Sequence, residues 1–281
     1  MSENTLEFSV NMTCGKCEKK VGESLRKHGN VWNVIERVST LKIAGIDSYD
    51  IDVSSERVVV RSSLASEQVK SIIESTGKLA VLIGTGVNTG QRSSAVAMLG
   101  VEGNFLSPGA RGVVRLSQVS GEECVVEGVV DGLSPGLHGL AVHETGDTSE
   151  GCASLGGHYN PRGVRHGSPE QGEQERHAGD LGNIMADQQG RASFRLVDRV
   201  LKVWDIIGRS VVVSSHEDDL GLGTGARSHV DGNCGPGAVC GVIARAAGVG
   251  QNYKKICACD GVSIWDERNK PMAGDSRRSQ S

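Results

Sequence analysis

Aromatic side chains are scarce in this chain of 281 residues, which holds three each of Phe, Tyr and Trp. Set against 39 glycines, that scarcity implies many turns and few bulky core groups, favouring a loop-rich β protein over a helical bundle. A charge excess is missing too. Thirty Lys and Arg against 34 Asp and Glu leave a net charge of −4 with no basic run, so nothing in the electrostatics points to nucleic acid or to a membrane surface. No stretch of about eighteen apolar residues occurs, and "MSENTLEFSV" has no basic segment leading into an apolar one. These absences predict a soluble, cytoplasmic protein without stable membrane insertion, in which a glycosylation sequon at Asn11 carries no meaning.

Present instead are eight cysteines and eight histidines. In a cytoplasmic chain, close-set cysteines serve more often as ligands or redox groups than as a disulfide framework. Length suggests two domains and an appendage. Residues 6–12, LEFSVNM, alternate as a half-buried strand does. Gly15 to His28 follows with Val21, Leu25 and His28 at helical spacing. YDIDV and RVVVR read as strands, SEQVKSIIESTG as a serine-capped helix ending in glycine, and KLAVLIG as a closing strand. The order β-α-β-β-α-β is the ferredoxin-like arrangement, assigned to residues 1–83. The stretch 28–45 is longer than that arrangement requires and receives no assignment.

Residues 84–94, GTGVNTGQRSS, read as a flexible linker. Their glycines are spaced G-x-G-x-x-x-G and no helical pattern follows, which speaks against a dinucleotide loop. Residues 95–247 carry short alternating runs, GVVRLSQV, CVVEGVV, ASFRLV, SVVVSS and CGVIARA, and predict an all-β Greek-key sandwich or barrel. Residues 248–281 lack periodicity and predict a short, poorly ordered C-terminal segment.

MTCGKC places Cys14 and Cys17 at a strand-to-helix junction, where the helix N-terminus favours thiolates. Two soft sulfurs with no histidine or carboxylate nearby suit two-coordinate Cu(I) and do not complete the tetrahedron that zinc prefers. A thioredoxin-like redox pair is the rival reading, and two incidental thiols the bland one. Near the other end, Cys257 and Cys259 in KKICACDGVSIW stand one residue apart, too tight for an unstrained disulfide to be assumed. That closeness suits thiol exchange or Cu(I) binding. Between these pairs lie His138, His143, His158, His166, His177 and Asp180. Any one histidine alone would read as a surface or capped residue, but three imidazoles and a carboxylate on widely spaced loop positions make a four-ligand zinc set.

These motifs carry resemblances. Residues 6–83, through Met12-Thr13-Cys14-Gly15-Lys16-Cys17, resemble a heavy-metal-associated domain of the small copper chaperone type, which implies that Lys78 lies near the thiolates and offsets their charge. Residues 95–247 resemble Cu,Zn superoxide dismutase, with GLHGLAVHETGD, GCASLGGHYNP, RHGSPEQGEQERHAGDLGN, IIGRSVVV, EDDLG and VCGVIA in that family's order. The likeness implies zinc ligands at His158, His166, His177 and Asp180, with Asp218 orienting His166. It also implies a disulfide between Cys152 and Cys240, worth roughly 4 to 5 kcal/mol in the chain-entropy model.

The copper side departs from that pattern. The first histidine of the family's H-x-H pair is Ala141, the fourth copper ligand falls on Ser214, and the arginine that guides superoxide is Gly237; His143 and the bridging His158 remain. His216, two residues beyond Ser214 and on the same strand face, is the candidate stand-in. No superoxide turnover is expected. With Cys257 and Cys259 added, the whole chain resembles the copper chaperones for superoxide dismutase. That implies Cu(I) and Zn(II), an upstream copper donor, docking as a heterodimer on immature Cu,Zn superoxide dismutase, copper delivery, and oxidation of the target's disulfide. The docking patch, around Ile207-Gly208 and Gly241-Val242-Ile243, would also serve a homodimer. Two rival readings stand. An active dismutase with a fused copper-loading domain needs His216 in place of Ser214 and a substitute for Ala141. A non-specific copper buffer needs only the N-terminal domain. Cys124 and Cys234 read as buried or incidental thiols.

Overall fold

Leu6, Phe8 and Val10 alternate along the first strand and are wholly buried, and that apolar face organises the N-terminal part of the chain. The computed structural model describes residues 2–29, 45–86, 94–100, 109–252 and 263–268. They fall into two compact units, one drawn from Met1–Gln91 with Ala247–Arg268 and the other from Arg92–Ala246. In the first unit β1 (Asn4–Val10), α1 (Gly15–Lys27), β2 (Ile46–Asp52), β3 (Arg57–Ser62), α2 (Ser66–Glu74) and β4 (Ala80–Thr85) follow in the expected order. The sheet runs β2-β3-β1-β4, with β1 antiparallel to both neighbours.

Val21 and Leu25 on α1, and Val69 and Ile73 on α2, lie on single helix faces and pack with Leu6, Phe8, Val10, Val58 and Val60. Each such side chain contributes about 1.5–3 kcal/mol on burial. Met12 and Cys17 join this core, so the loop between β1 and α1 is fastened on both sides.

β1 departs from the half-buried expectation, because Glu7 and Ser9 are buried as well. The cover comes from the far end of the sequence. The Thr85 amide donates to Ala247 O at 3.3 Å, and the Gly250 amide donates to Glu7 Oε2 at 2.5 Å. Arg57 donates to the other Glu7 oxygen, so both oxygens of a wholly buried carboxylate are used, as its desolvation requires. Gly84 permits this approach, since a Cβ there would stand 2.7 Å from Gly248 O. A short helix, Ile264–Arg268, lies in the segment expected to be unperiodic and packs against β4. Cys257 and Cys259 lie outside the described residues, as do most of 28–45 and most of the expected linker.

In the second unit β5 (Ser94–Leu99), β6 (Arg111–Gln118), β7 (Cys124–Asp131), β8 (Gly136–His143), β9 (Asp180–Ala186), β10 (Arg191–Asp198), β11 (Ser210–Ser214) and β12 (Gly237–Arg245) close a barrel in the order β10-β7-β6-β5-β12-β11-β8-β9. All pairings are antiparallel, in a Greek-key arrangement. Val114, Leu116, Val126, Leu140, Val211, Val213 and Val239 fill its interior. The irregular connection 144–179, between β8 and β9, carries three of the histidines and is tied down at two points. Cys152 is bonded to Cys240 on β12. Arg176, 1% exposed, pairs with Asp198 at the end of β10 and donates to Asp180 O at 2.7 Å and His177 O at 3.2 Å. No helix of the described residues is long and apolar enough to cross a membrane.

Candidate metal centres

Cys14 precedes the first turn of α1, and its carbonyl accepts the Cys17 amide at 2.9 Å. The Cys14 and Cys17 sulfurs lie 3.7 Å apart, the first exposed and the second buried. A backbone hydrogen bond from Thr13 and then the Lys78 ammonium hold the Cys17 thiol down at about 6, so it is ionised at neutral pH. Lys78 therefore stands beside the thiol pair.

In the second unit four ligand atoms converge. Asp180 Oδ1 lies 2.7 Å from His158 Nδ1, 3.0 Å from His166 Nδ1 and 3.2 Å from His177 Nδ1, and all four residues are buried. The outward nitrogens are held separately: His166 Nε2 by Asp218 Oδ1 at 2.7 Å and His177 Nε2 by Val164 O at 3.0 Å. The inward Nδ1 atoms of His166 and His177 have no hydrogen-bond partner. Asp180 Oδ2 accepts the amides of Gly167 and His177 at 3.1 and 2.9 Å, leaving Oδ1 free to face the imidazoles. Burial works against the Asp180 anion, but the three histidines outweigh it and drive its pKa far down. Burial likewise opposes the His166 cation, and Asp180 with Asp218 raises it to about 9. Gly232 must be glycine here: its φ is +65° and a Cβ would stand 1.8 Å from Asp218 Oδ1.

The copper side looks different. Ala141 on β8 pairs with Val212 and Asp180, and Ser214 ends β11, buried. A cavity of about 480 Å³ opens there, lined among others by His143, His158, Ser214, Arg227, Cys234 and Gly237. His216 is exposed and does not line it; its Nδ1 lies 3.1 Å from Ser215 Oγ. His138 is buried, its ring bonded to Ser214 O at 2.7 Å and Ser134 O at 2.8 Å, so it serves as a brace between loops. Burial first, then His158, holds His143 down at about 4, neutral and able to offer a lone pair.

The stretch 110–243 matches the family model described as copper/zinc superoxide dismutase (SODC). The protein of Sus scrofa named copper chaperone for superoxide dismutase is 46% identical over 274 residues, covering 97% of this chain and 92% of that one. The chain belongs to the copper chaperone for superoxide dismutase family. The family member of Homo sapiens is 45% identical over 275 residues, covering 98% and 92%. The chloroplastic/cytosolic one of Arabidopsis thaliana is 36% identical over 269 residues, covering 96% and 72%. Among solved structures, the clock protein EA4 matches with a TM-score of 0.50 and 38% identity, over 54% of this chain and 94% of that one.

Two features of this copper chaperone family member escaped the sequence. Arg227 lines the cavity although Gly237 supplies no cation, but Asp231 binds its guanidinium, with Nε to Oδ2 at 2.8 Å. Cys234, unassigned from sequence, lies in the cavity wall with its thiol against Ser214 Oγ at 3.1 Å. The only hint was its place in GNCG, close before the second disulfide cysteine. Cys124 sits in the barrel core, where burial and then Asp198 push its thiol up to about 12.

Proposed function

We propose that the chain is a copper metallochaperone that delivers Cu(I) to immature Cu,Zn superoxide dismutase and promotes disulfide formation there. The observation that carries this reading is the lysine-flanked thiol pair Cys14–Cys17 at the rim of the first unit, with Cys17 ionised. A soft cation can be taken up there and passed on by ligand exchange without being released. The first unit is then a ferredoxin-like, heavy-metal-associated domain over residues 1–83, receiving Cu(I) from an upstream donor. Residues 84–94 act as linker, 95–247 as a dismutase-like docking domain and 248–281 as the segment that delivers. Cys257 and Cys259 would pass the ion to the target. As an oxidised pair they would also accept the two electrons that the target's dithiol loses when its disulfide forms.

The second unit is the docking body. The orphaned Nδ1 atoms of His166 and His177, aimed with His158 Nδ1 at Asp180 Oδ1, fit Zn(II). When bound, that ion supplies a fixed tetrahedral centre. Asp218 positions His166, and the Cys152–Cys240 bond holds the connecting loop to the barrel. Superoxide turnover has little support: Ala141 and Ser214 offer no imidazole, His216 faces outward, and Arg227 is paired. For docking, Gly208 N donates to Ile243 O at 2.9 Å, joining the two expected patch segments. Val242 and Met98 expose apolar surface beside them, at 39% and 47%. A heterodimer with the target and a homodimer would use this one patch.

The test mixes the Cu(I)-loaded chain with reduced, copper-free Cu,Zn superoxide dismutase and follows target activity and target disulfide formation. Activation is expected from the unaltered chain and not from the Cys257→Ser, Cys259→Ser variant. Equal activation by the first unit alone would replace delivery with simple buffering. Dismutation by the loaded chain itself would make it an enzyme.

A further inference from the structure

The helices of the first unit cover the sheet face that carries Leu6, Phe8 and Val10. Glu7 points to the opposite face, where residues 247–252 meet it. That segment is a formed turn. The Gln251 amide donates to Gly248 O at 3.1 Å and the Gln251 side-chain oxygen accepts the Gly248 amide at 3.0 Å. Gly250, at φ +73°, takes a conformation other residues rarely adopt. The turn aims the Gly250 amide at Glu7 and leaves Val249 only 4% exposed. Further on, the short helix Ile264–Arg268 is capped at its own start, Ser263 Oγ accepting the Asp266 amide at 3.1 Å and donating to Asp266 Oδ2 at 2.6 Å. A helix of five residues does not persist alone, so its packing on β4 holds it in place.

The attachment is light. The Thr85 amide reaches Ala247 O at 3.3 Å, beyond the usual range for such a bond. If the turn lifts away, Glu7 keeps Arg57, whose side chain is 31% exposed, so the carboxylate passes from a buried pair to a hydrated one and is not orphaned. Position gives the attachment a role, because Cys257 and Cys259 fall in sequence between Asn252 and the short helix. With both attachments made, Cys257 is held within about 17–18 Å of Asn252, the length of the extended chain between them. With both undone, the first fixed point is Ala246, whose amide donates to Ser94 O at 3.0 Å, and the same thiol reaches about 36–40 Å from there.

We propose that residues 247–252 and the short helix form a strap that holds the C-terminal segment on the first unit, with Glu7 as its clasp, and that this strap must lift before the segment's thiols reach a partner. It is an autoinhibitory contact. The release step rests on the delivery role given above to Cys257 and Cys259; the strap itself does not. Gly84 offers a way to open it. A Cβ there would stand 2.7 Å from Gly248 O and 3.0 Å from Glu7 Oε2 and Gly248 C, its three nearest atoms. Gly84 is not among the glycines of positive φ, so β4 itself accepts alanine and the strap takes the bump.

The experiment follows hydrogen–deuterium exchange in the full-length chain. Peptides over 247–252 should be protected, yet exchange at least about 10-fold faster than those over β1, since a strap opens locally while β1 opens with its unit. Gly84→Ala should speed exchange over 247–252 by about 100-fold, the loss of one charge-assisted and one neutral hydrogen bond, with β1 and the barrel unchanged. Should Gly84→Ala disturb the sheet, Gln251→Ala decides: it removes only the side-chain bond that closes the turn and should give a rise of about fivefold. In the second arm, Cu(I)-loaded Gly84→Ala should activate reduced, copper-free Cu,Zn superoxide dismutase at least about fivefold faster than the unaltered chain, because more chains are competent. Adding Cys257→Ser and Cys259→Ser should abolish that gain. Equal exchange over 247–252 and β1, or no protection over 247–252, would overturn the strap, and faster exchange with unchanged activation would overturn its inhibitory role. If the unaltered chain activates nothing, delivery and the release step fall together while exchange still decides the strap.

Discussion

Cys14 and Cys17 stand at a rim, one exposed and one buried, whereas His158, His166, His177 and Asp180 are enclosed together and braced from behind by Asp218 and Val164. The first site has a cation at its side and an open approach. The second has every outward nitrogen but one tied to a protein acceptor. Access allows one ligand to replace another, and enclosure forbids it, so the proposed function gives the passing of an ion to the first site and the keeping of one to the second. The supports differ in the same way. A helix start and a lysine steady the thiols, while a disulfide and a buried ion pair steady the loop of the histidines.

Four measurements would break or sharpen that contrast. The largest effect is expected from Cys152→Ser, which opens a loop spanning 88 positions and should cost the barrel about 4–5 kcal/mol in denaturant unfolding; a loss below 1 kcal/mol would mean the loop is held by other contacts. Glu7→Ala removes the acceptor of Arg57 and Gly250. It should lower the stability of the first unit by about 3 kcal/mol, the low end for a broken buried pair because Arg57 is partly exposed. The readout is the urea dependence of Cys17 alkylation, and an unaltered midpoint would show the clasp to be idle. Asp218→Asn should reduce zinc affinity by about 10- to 100-fold in chelator competition, with the barrel still folded.

The smallest effect concerns Lys78→Met. Cys17 in the metal-free chain should alkylate with a midpoint near pH 6. Losing the ammonium disfavours the thiolate, so the midpoint should rise by about one unit. The rate falls between pH 6 and 7 and is unchanged well above pH 9, where the thiol is ionised in either form. A midpoint that does not move would remove Lys78 from the site.

The quartet was legible from sequence because its members fall within one stretch of 23 residues, and the likeness to Cu,Zn superoxide dismutase set them apart from His138 and His143. The β-α-β-β-α-β order was legible because Val21 and Leu25, or Val58 and Val60, repeat at helical and strand periods. Other features depended on partners far along the chain. Glu7 reads as the solvent side of β1 until Gly250 is known to cover it. β8 was hidden because Gly136 and Gly139 interrupt its alternation. Cys234 and the Arg227–Asp231 pair gain meaning only from the cavity they line. His216 shares a strand face with Ser214 by counting, but β11 ends at Ser214 and the chain turns His216 outward.

The clasp on Glu7 has a consequence in time. Its partner Gly250 is made 243 residues later, and at about 5–20 residues per second a ribosome takes on the order of 10 to 50 seconds to cover that interval. For most of it, once Arg57 has been made 50 residues on, Glu7 has Arg57 and water but no Gly250 amide. The N-terminal unit is therefore synthesised in two instalments, with an entire barrel made between them, and a nascent chain cut before Gly248 would carry a β1 whose buried acid is still wet.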